Sequence, residues 1–189
     1  MRLVLMGPPG AGKGTQADVI SSLLGVPHIS TGDIFRKNVT AGTALGLEAK
    51  RYMDAGEYVP DGITNAMVRD RLSQDDAHAG FLLDGYPRTV EQVGELSAML
   101  RSDSGELDRV VELTVDLDEV VARLVRRAAE QGRSDDTEDV IRHRLEVYFQ
   151  QTAPLTAMYE TQGLLSKVDG LGSIDEVSAR IVSVLGIQP

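Results

Sequence analysis

Short apolar runs alternate with segments of helical periodicity along this chain. Such runs are typical of buried strands, and helices between them are typical of a sheet whose strands run parallel. The pattern therefore predicts an α/β protein with a mostly parallel sheet covered by helices on both faces. The predicted strands are Arg2–Met6, Pro27–Ser30, Phe81–Asp84, Arg109–Val115 and Leu165–Val168.

The first predicted helix covers Lys13–Leu24. It carries Ala17, Ile20 and Leu24 on one face, and Gly25 follows it as a typical helix stop. Further helices are predicted after Pro60-Asp61, from Thr89, and from the capping box Ser173-x-x-Glu176 to Gly186.

Two segments depart from the alternation of strands and helices. Residues 30–59 hold helical fragments broken by glycines, and residues 126–136 are polar and interrupt what would otherwise be one long helix. Both segments are either mobile lobes beside a binding site or plain surface loops. The length of 189 residues otherwise suits one compact domain, residues 1–189.

Composition and charge exclude several classes of protein. The chain has no cysteine, which excludes disulfides and zinc sites built on thiolates. Its formal charge of −10 argues against a DNA or RNA partner. The first apolar run is too short for a signal peptide or a membrane span, so we expect a cytoplasmic protein that does not contact a membrane. Small anions would bind only where basic side chains gather in one cleft.

A glycine-rich segment, Gly7–Thr15, follows the first predicted strand and opens the first helix. Glycines allow successive backbone N–H groups to point at phosphate oxygens, and the helix N-terminus adds its positive dipole end. Lys13 supplies a point charge for a polyphosphate. The usual pattern has serine or threonine directly after the lysine, whereas here Gly14 takes that place and Thr15 follows. The segment therefore predicts a phosphate-binding loop.

Polar side chains follow the carboxyl ends of two other predicted strands, where parallel sheets bind their ligands. Asp84 ends one strand, as either a magnesium ligand acting through water or a turn and capping residue, and Arg88 follows it. Asp33 and Arg36 follow the second strand, and Asp33 by itself is more typical of a helix cap than of a metal ligand.

Helical geometry distinguishes two neighbouring arginines. Relative to Val140, Arg144 lies at about 40° on the helix, inside an apolar stripe, while Arg142 at about 200° points to solvent. A guanidinium on an apolar face needs an anion, either an internal carboxylate or a bound phosphate. Arg123 and Arg127 share a helix face. The histidines (His28, His78, His143) show no metal-ligand spacing, and we expect them to be structural.

These residues suit phosphoryl transfer. The barrier of that reaction falls through positioning and charge neutralisation, and an acceptor that is itself a phosphate needs no general base. The basic residues that could form the cleft outnumber what one nucleoside triphosphate requires, which fits two phosphorylated substrates meeting head to head. They are Lys13, Arg36, Arg88, Arg127, Arg133 and Arg144.

The chain resembles adenylate kinases, members of the nucleoside monophosphate kinase family, along its whole length. The resemblance rests on Gly7–Thr15, Thr31-Gly32-Asp33-x-x-Arg36, Asp84-Gly85-Tyr86-Pro87-Arg88 with Gln92, and Arg133-x-Asp135-Asp136 with Arg144. It implies a three-layer α/β/α P-loop core with five parallel strands, an AMP-binding lobe at 30–59 and a lid at 126–136. It also implies a monomer and the reaction MgATP + AMP ⇌ 2 ADP, with ATP, AMP and ADP as its partners.

The resemblance also implies a role for each matching position. Asp84, and with it Asp33, would hold magnesium through water. The Tyr86-Pro87 bond would be cis. The ATP site would comprise Gly10, Ala11, Gly12, Lys13, Gly14, Thr15, Arg127 and Gly172. The AMP site would comprise Thr31, Arg36, Glu57, Tyr58, Val59, Gly85, Tyr86, Pro87, Arg88, Gln92, Arg133 and Arg144. The catalytic charges would be Lys13, Arg88, Arg127, Arg133 and Arg144.

The predicted lid is short. Only five residues separate Arg127 from Arg133, too few for the separate lid subdomain of longer members, and the absence of cysteine excludes their zinc-binding lid. Gln92 would contact the adenine edge, although Thr89-x-x-Gln92 is also a capping box.

Three other functions stay open on the sequence. A UMP or CMP kinase would share the fold and mechanism, although Thr31 and Gln92 favour AMP, and GTP could replace ATP as the donor. A nucleotide-binding switch would also use the phosphate-binding loop. However, the chain has no Asn-Lys-x-Asp guanine motif, and a switch needs no second set of phosphate-binding arginines.

Overall fold

The computed structural model of the protein describes residues 1–102, 105–131 and 137–187. A five-stranded, all-parallel sheet forms its centre, with the strand order β2-β3-β1-β4-β5. The strands are β1 (Arg2–Met6), β2 (His28–Ser30), β3 (Phe81–Asp84), β4 (Arg109–Thr114) and β5 (Leu165–Asp169). The predicted α/β class is confirmed, and each predicted strand agrees with the structure to within one residue at either end.

Helices connect the strands and flank the sheet. They are α1 (Lys13–Leu24), α2 (Thr31–Thr40), α3 (Ala44–Ala55), α4 (Asp61–Leu72), α5 (Val90–Ser102), α6 (Leu117–Gln131), α7 (Glu138–Val147), α8 (Leu155–Thr161) and α9 (Ile174–Leu185). A short 3₁₀ turn, Asp75–Ala77, precedes β3, and a π-helical turn, Tyr148–Thr152, follows α7. No helix in these described ranges is both long and apolar enough to cross a membrane.

Strand β1 separates two hydrophobic cores. Leu3 and Leu5 face a core shared with α1 and α9, whereas Val4 and Met6 face the opposite core, which includes α4 and α5. Side chains alternate between the two faces of a strand, so a fully apolar strand requires cover on both sides. This burial places β1 at the middle of the sheet and the loop after it at the centre of the carboxyl edge.

Helix α1 has the predicted bounds. Gly25 at its C-terminus adopts φ 65°, the left-handed conformation that glycine takes with least strain. At the other end of the chain the capping box of α9 is complete: Ser173 accepts from the Glu176 backbone, and the Glu176 carboxylate accepts from the Ser173 backbone.

Helices α2 and α3 occupy most of residues 30–59 and pack together. They form a small core of their own around Phe35, Ala49 and Val59. Ser30, rather than Asp33, caps α2, because its hydroxyl accepts from the Asp33 backbone N–H. The cap prediction for Asp33 is therefore wrong. Its carboxylate instead accepts from Arg36 Nη2 at 2.6 Å.

The predicted interruption at residues 126–136 begins later than expected. Helix α6 continues to Gln131, because alanine, arginine, glutamate and glutamine at 126–131 are strong helix formers. The prediction of a loop starting at residue 126 is thus wrong for its first six residues. Residues 132–136, including Arg133, lie outside the described part of the chain.

Close packing of α2 against α3 depends on Gly46. A Cβ atom there would overlap the Asn38 carbonyl group and lie 2.5 Å from the Val39 nitrogen. We expect Gly46→Ala to lower the free energy of unfolding by about 1–3 kcal/mol, since backbone must move to admit the methyl group. The matched control is Gly94→Ala at an exposed position of α5, where a Cβ atom meets nothing. We expect this control variant to raise the free energy of unfolding by about 0.5–1 kcal/mol. Urea unfolding measures both variants, and equal effects would contradict the packing argument.

Candidate active site

The phosphate-binding loop leaves the carboxyl end of β1 and enters α1. Gly10 and Gly12 adopt φ values of 85° and 89°, a left-handed conformation that bends the backbone around the α1 N-terminus. A Cβ atom on Gly10 would come within 2.9 Å of Leu124 Cγ on α6, so the loop lies directly beneath that helix. The loop geometry presents backbone N–H groups and a helix N-terminus to a common cavity.

Lys13 points back into this loop. Its Nζ donates to the Gly7 carbonyl at 2.8 Å and to the Pro8 carbonyl at 2.9 Å. Burial lowers the pKa of Lys13 to about 8; Asp84 opposes this effect, while Arg88, Arg144 and Arg127 add to it. Positive charges from separate elements therefore converge on Lys13, as the net negative charge of the chain requires for an anion site.

Asp84 ends β3 next to the loop. Its Oδ2 lies 3.8 Å from the position that a Cβ atom would occupy on Gly14. Burial acts to raise the pKa of Asp84, but His28, Lys13 and Arg88 outweigh it and lower the pKa below its usual value. An ionised carboxylate beside a phosphate-binding loop fits the preference of Mg²⁺ for hard oxygen ligands and retained water molecules.

His28 lies between two carboxylates at the site, Asp18 and Asp84, a position that the sequence did not predict. Its Nδ1 lies 2.8 Å from Asp18 Oδ1, and its Nε2 lies 3.8 Å from Asp84 Oδ2. Burial favours the neutral ring, but the two carboxylates outweigh burial and raise the pKa of His28. His28 also lines the same cavity as the phosphate-binding loop. The prediction that His28 is only structural therefore misses its position beside Asp84.

Arg88 is held over the loop after β3. Its Nε donates to the Gly85 carbonyl at 2.7 Å, and its backbone N–H donates to Gln92 Oε1 at 2.7 Å. The Thr31 hydroxyl donates to the same Gly85 carbonyl at 2.9 Å. Gly85 has φ 79°, and a Cβ there would lie 2.8 Å from Thr31 Oγ1 and 2.9 Å from Arg88 Nη2. Only glycine allows this close approach.

The site consists of two adjoining cavities. The larger has a volume of about 660 Å³ and is lined by all of the predicted ATP-site residues, together with Asp33 and Asp84. The smaller is a narrow cleft lined by Thr31, Glu57, Tyr58, Val59 and Gln92. Arg36, Gly85, Arg88 and Arg144 line both cavities. Three of the predicted arginines, Arg36, Arg88 and Arg144, thus lie at the junction of the two cavities, whereas Arg127 lines the larger cavity alone.

Arg144 occupies the face of α7 that helical geometry predicts. It is partly buried and lines both cavities, whereas Arg142 is exposed and pairs with Glu138 one turn away. Residue 56 lies against the same helix, because a Cβ on Gly56 would lie 3.1 Å from Arg144 Cγ. The segment after α3 therefore packs directly on α7.

Gln92 serves both as a structural residue and as part of the cavity wall. It is 1% exposed, its Nε2 donates to Asp61 Oδ1 at 2.6 Å, and it lines the smaller cavity. Thr89 accepts from the Gln92 backbone at 3.2 Å, as a capping box requires. However, the Gln92 side chain accepts from Arg88 rather than from Thr89, so it supports the arginine instead of closing the box.

Two predicted AMP-site residues line neither cavity. Tyr86 is 1% exposed and its hydroxyl donates to Asn65 Oδ1 at 2.8 Å, while Pro87 is buried beside it. The peptide between them is cis, as the resemblance implies. They shape the loop that carries Arg88, so the structure does not support direct ligand contact by either side chain.

The sequence missed Arg123 as a site residue. It lines the larger cavity beside Arg127, and it is anchored by Glu119 at 2.7 Å and the Gly170 carbonyl at 3.2 Å. The spacing of four residues between Glu119, Arg123 and Arg127 is visible in the sequence, and it predicted the shared face correctly. The contact with Gly170, 47 residues away, had no local signal.

An ion pair crosses from the residue 56–59 segment to α7. His143 Nε2 lies 2.5 Å from Glu57 Oε1, and this contact, with burial opposing it and Glu146 adding to it, raises the pKa of His143. A raised histidine pKa stabilises the folded state below the ordinary pKa, and the contribution disappears as pH rises through the folded-state value.

We therefore expect His143→Gln to lower the melting temperature at about pH 5.5 and to leave it unchanged at about pH 9. Thermal unfolding of both proteins at the two pH values measures the difference. His78→Gln is the control, since no ion pair involving His78 is described in these ranges. A difference that is larger at the higher pH would contradict the assignment.

The fold and the site together define the class of enzyme to which this protein belongs. A phosphate-binding loop between β1 and α1 of a parallel sheet, with two cavities that share a set of arginines, is the arrangement of a P-loop kinase that acts on a small phosphorylated acceptor. The family model described as "Adenylate kinase" matches residues 5–164 of this chain.

Proteins with the same description match nearly the full length. A protein named adenylate kinase from Nocardioides sp. (strain ATCC BAA-499 / JS614) is 62% identical over 189 residues, which cover 100% of this chain and 99% of the relative. One from Kocuria rhizophila is 62% identical, with 97% and 98% covered, and one from Thermobifida fusca is 58% identical, with 98% of each covered. The chain belongs to the adenylate kinase family.

Proposed function

We propose that this protein transfers the terminal phosphoryl group of MgATP reversibly to AMP, giving two molecules of ADP. The observation that carries the proposal is the shared wall of the two cavities, where Arg36, Arg88 and Arg144 line both. A hydrolase or a switch needs only the larger cavity. A second, adjoining cavity with phosphate-binding side chains at the junction supports a second phosphorylated substrate.

In this proposal the larger cavity binds ATP. Backbone N–H groups from Gly10 to Thr15 hold its phosphates, and Lys13 follows the charge as it moves. Gly172, which lines this cavity, contacts the adenine through its backbone. Asp84, with Asp33, would hold Mg²⁺ through water molecules. When bound, that ion neutralises part of the phosphate charge.

The smaller cavity binds AMP. Thr31, the backbone at Glu57–Val59 and Gln92 surround the nucleoside, while Arg36 and Arg88 hold its phosphate. An oxygen of that phosphate attacks the γ-phosphorus in line, the bond from the γ-phosphorus to the β,γ-bridging oxygen breaks, and the electron pair stays on the departing ADP. Because the attacking oxygen is already anionic, no general base is required. Arg127, Arg133 and Arg144 stabilise the transferred group.

Helices α2 and α3 form the AMP-binding lobe of this proposal, and residues 126–136 form its lid. Both act by closing over the substrates and excluding water. The contacts of Gly56 and Glu57 with α7 support a lobe that closes against that helix.

Phosphorus NMR tests the proposal directly. Purified protein with MgATP is incubated separately with AMP, UMP, CMP and GMP, and we expect ADP to accumulate with AMP far faster than with the others. A pyrimidine nucleotide as the better acceptor would overturn the assignment of Thr31 and Gln92 while keeping the mechanism. Slow ATP hydrolysis with no acceptor phosphorylated would overturn the kinase function, and repeating the assay with GTP identifies the preferred donor.

A further inference from the structure

Tyr58 contacts Arg88 in a way that the mechanism above does not use. It lies in the segment between α3 and α4, and the Arg88 guanidinium carbon lies 4.8 Å from the centre of its ring. A guanidinium within about 6 Å of an aromatic face is attracted by the ring quadrupole. The Tyr58 side chain therefore supports the arginine that lines both cavities.

A second path joins the same two residues through Thr152. The Tyr58 hydroxyl lies 2.8 Å from Thr152 Oγ1, and Thr152 Oγ1 donates to the Arg88 carbonyl at 2.9 Å. A threonine hydroxyl carries one proton. Because that proton goes to the Arg88 carbonyl, the Tyr58 hydroxyl is the donor in the first bond. The chain of hydrogen bonds thus runs from Tyr58 through Thr152 to the Arg88 backbone.

The π-helical turn supplies Thr152. This turn spans Tyr148–Thr152 directly after α7, and Thr152 is 5% exposed. A π-helical turn places an extra residue in the helix and redirects the side chains that follow it, which is why such turns occur often at functional sites. Here it brings a buried hydroxyl between residues 58 and 88, which are 94 and 64 residues away along the chain.

We propose that Tyr58, acting with Thr152, is a positioning residue that orients Arg88 and thereby sets the affinity of the acceptor site. The inference rests on the proposed function, which assigns the acceptor phosphate to Arg88. The ring fixes the guanidinium from one side, the Gly85 carbonyl fixes its Nε, and Thr152 fixes the backbone to which it is attached. The side chain of Tyr58 thus acts through Arg88, in addition to any contact of its backbone with the nucleoside.

Four variants separate the two paths. Tyr58→Phe and Thr152→Val break the hydrogen-bond chain and keep the ring, and we expect each to raise KM for the acceptor about threefold. Tyr58→Leu removes both paths, and we expect about a tenfold rise. Thr152→Ser keeps the hydroxyl, and we expect its KM for the acceptor to equal that of the wild type. KM for ATP should stay unchanged in all four, and an equal rise for ATP would overturn the proposal.

A double-mutant cycle distinguishes positioning from direct contact. In an Arg88→Ala background, Tyr58→Leu should have no further effect on KM for the acceptor, because the group that it orients is gone. The same fold-change in both backgrounds would mean that Tyr58 contacts the nucleoside by itself, and would overturn the proposal.

A spectroscopic measurement makes the test independent of activity. The Nε–H resonance of Arg88, assigned by its loss in Arg88→Ala, should move in Tyr58→Leu and stay near its place in Tyr58→Phe, since phenylalanine keeps the ring above the guanidinium. An unmoved resonance in Tyr58→Leu would overturn the proposal. The kinetic constants are measured with whichever nucleoside monophosphate the wild type phosphorylates best. If the wild type phosphorylates another nucleoside monophosphate but not AMP, the proposed acceptor is wrong. The kinetic constants of the variants, measured with that other monophosphate, would still test the role of Tyr58.

Discussion

Lys13→Met should lower kcat by two to three orders of magnitude, a loss of about 3–4 kcal/mol of transition-state stabilisation. Methionine keeps an unbranched apolar side chain of nearly the same length as lysine but removes its charge. That charge, surrounded by Arg88, Arg127 and Arg144, would stabilise the phosphoryl group as its electrons shift. Steady-state kinetics with saturating MgATP and AMP measure the loss.

The control for Lys13 is Lys50→Met on the exposed surface of α3, where the lysine pairs with Asp54 one turn away. We expect that variant to retain wild-type turnover. Circular dichroism and thermal unfolding should show that both variants are folded. Turnover of Lys13→Met within tenfold of the wild type would rule out the proposed role of the lysine.

Arg88→Ala should raise KM for AMP about a hundredfold and change the dissociation constant of ATP much less. A charged hydrogen-bonding group that meets a phosphate contributes about 1.5–3 kcal/mol, and Arg88 also organises the Gly85 loop. Arg88 lines both cavities, but the smaller one has few other cationic side chains to replace it, whereas the larger also holds Lys13 and Arg127. Initial-rate kinetics and ATP titration separate the two effects.

The matched control is Arg142→Ala. That arginine is exposed, pairs with Glu138, and lies on the face of α7 opposite Arg144. We expect its kinetic constants to equal those of the wild type. Equal losses of AMP and ATP affinity in Arg88→Ala would contradict the assignment of Arg88 to the acceptor.

The sequence predicted the elements with strong local signals. Helix α1 begins and ends as expected because the loop lysine and Gly25 bound it on both sides. The observed strand ends differ from the predicted ends by at most one residue, since strand ends depend on backbone pairing with neighbours that the sequence does not identify. Helix α6 continues past residue 126, where polarity predicts a break, because the residues there are good helix formers.

Prediction was less complete at the site. The phosphate-binding loop, Asp84 and Arg144 could be found, because each carries a signal in its own segment: glycine spacing, a carboxylate at a strand end, and a charge on an apolar stripe. His28, Arg123 and the Thr152 hydroxyl carried no such signal. Their roles come from contacts with Asp84, Gly170 and Arg88, each on a distant part of the chain.

By itself, the sequence determined the α/β class, the loop between β1 and α1, and the need for a basic cleft in a chain of net charge −10. These properties follow from periodicity, glycine content and charge, which act over a few residues or over the whole composition. Only the tertiary structure decided that Arg36, Arg88 and Arg144 meet at the junction of two cavities. The order of parallel strands and the packing of α7 against the segment after α3 bring them together, and both depend on the burial of apolar surface across the whole fold.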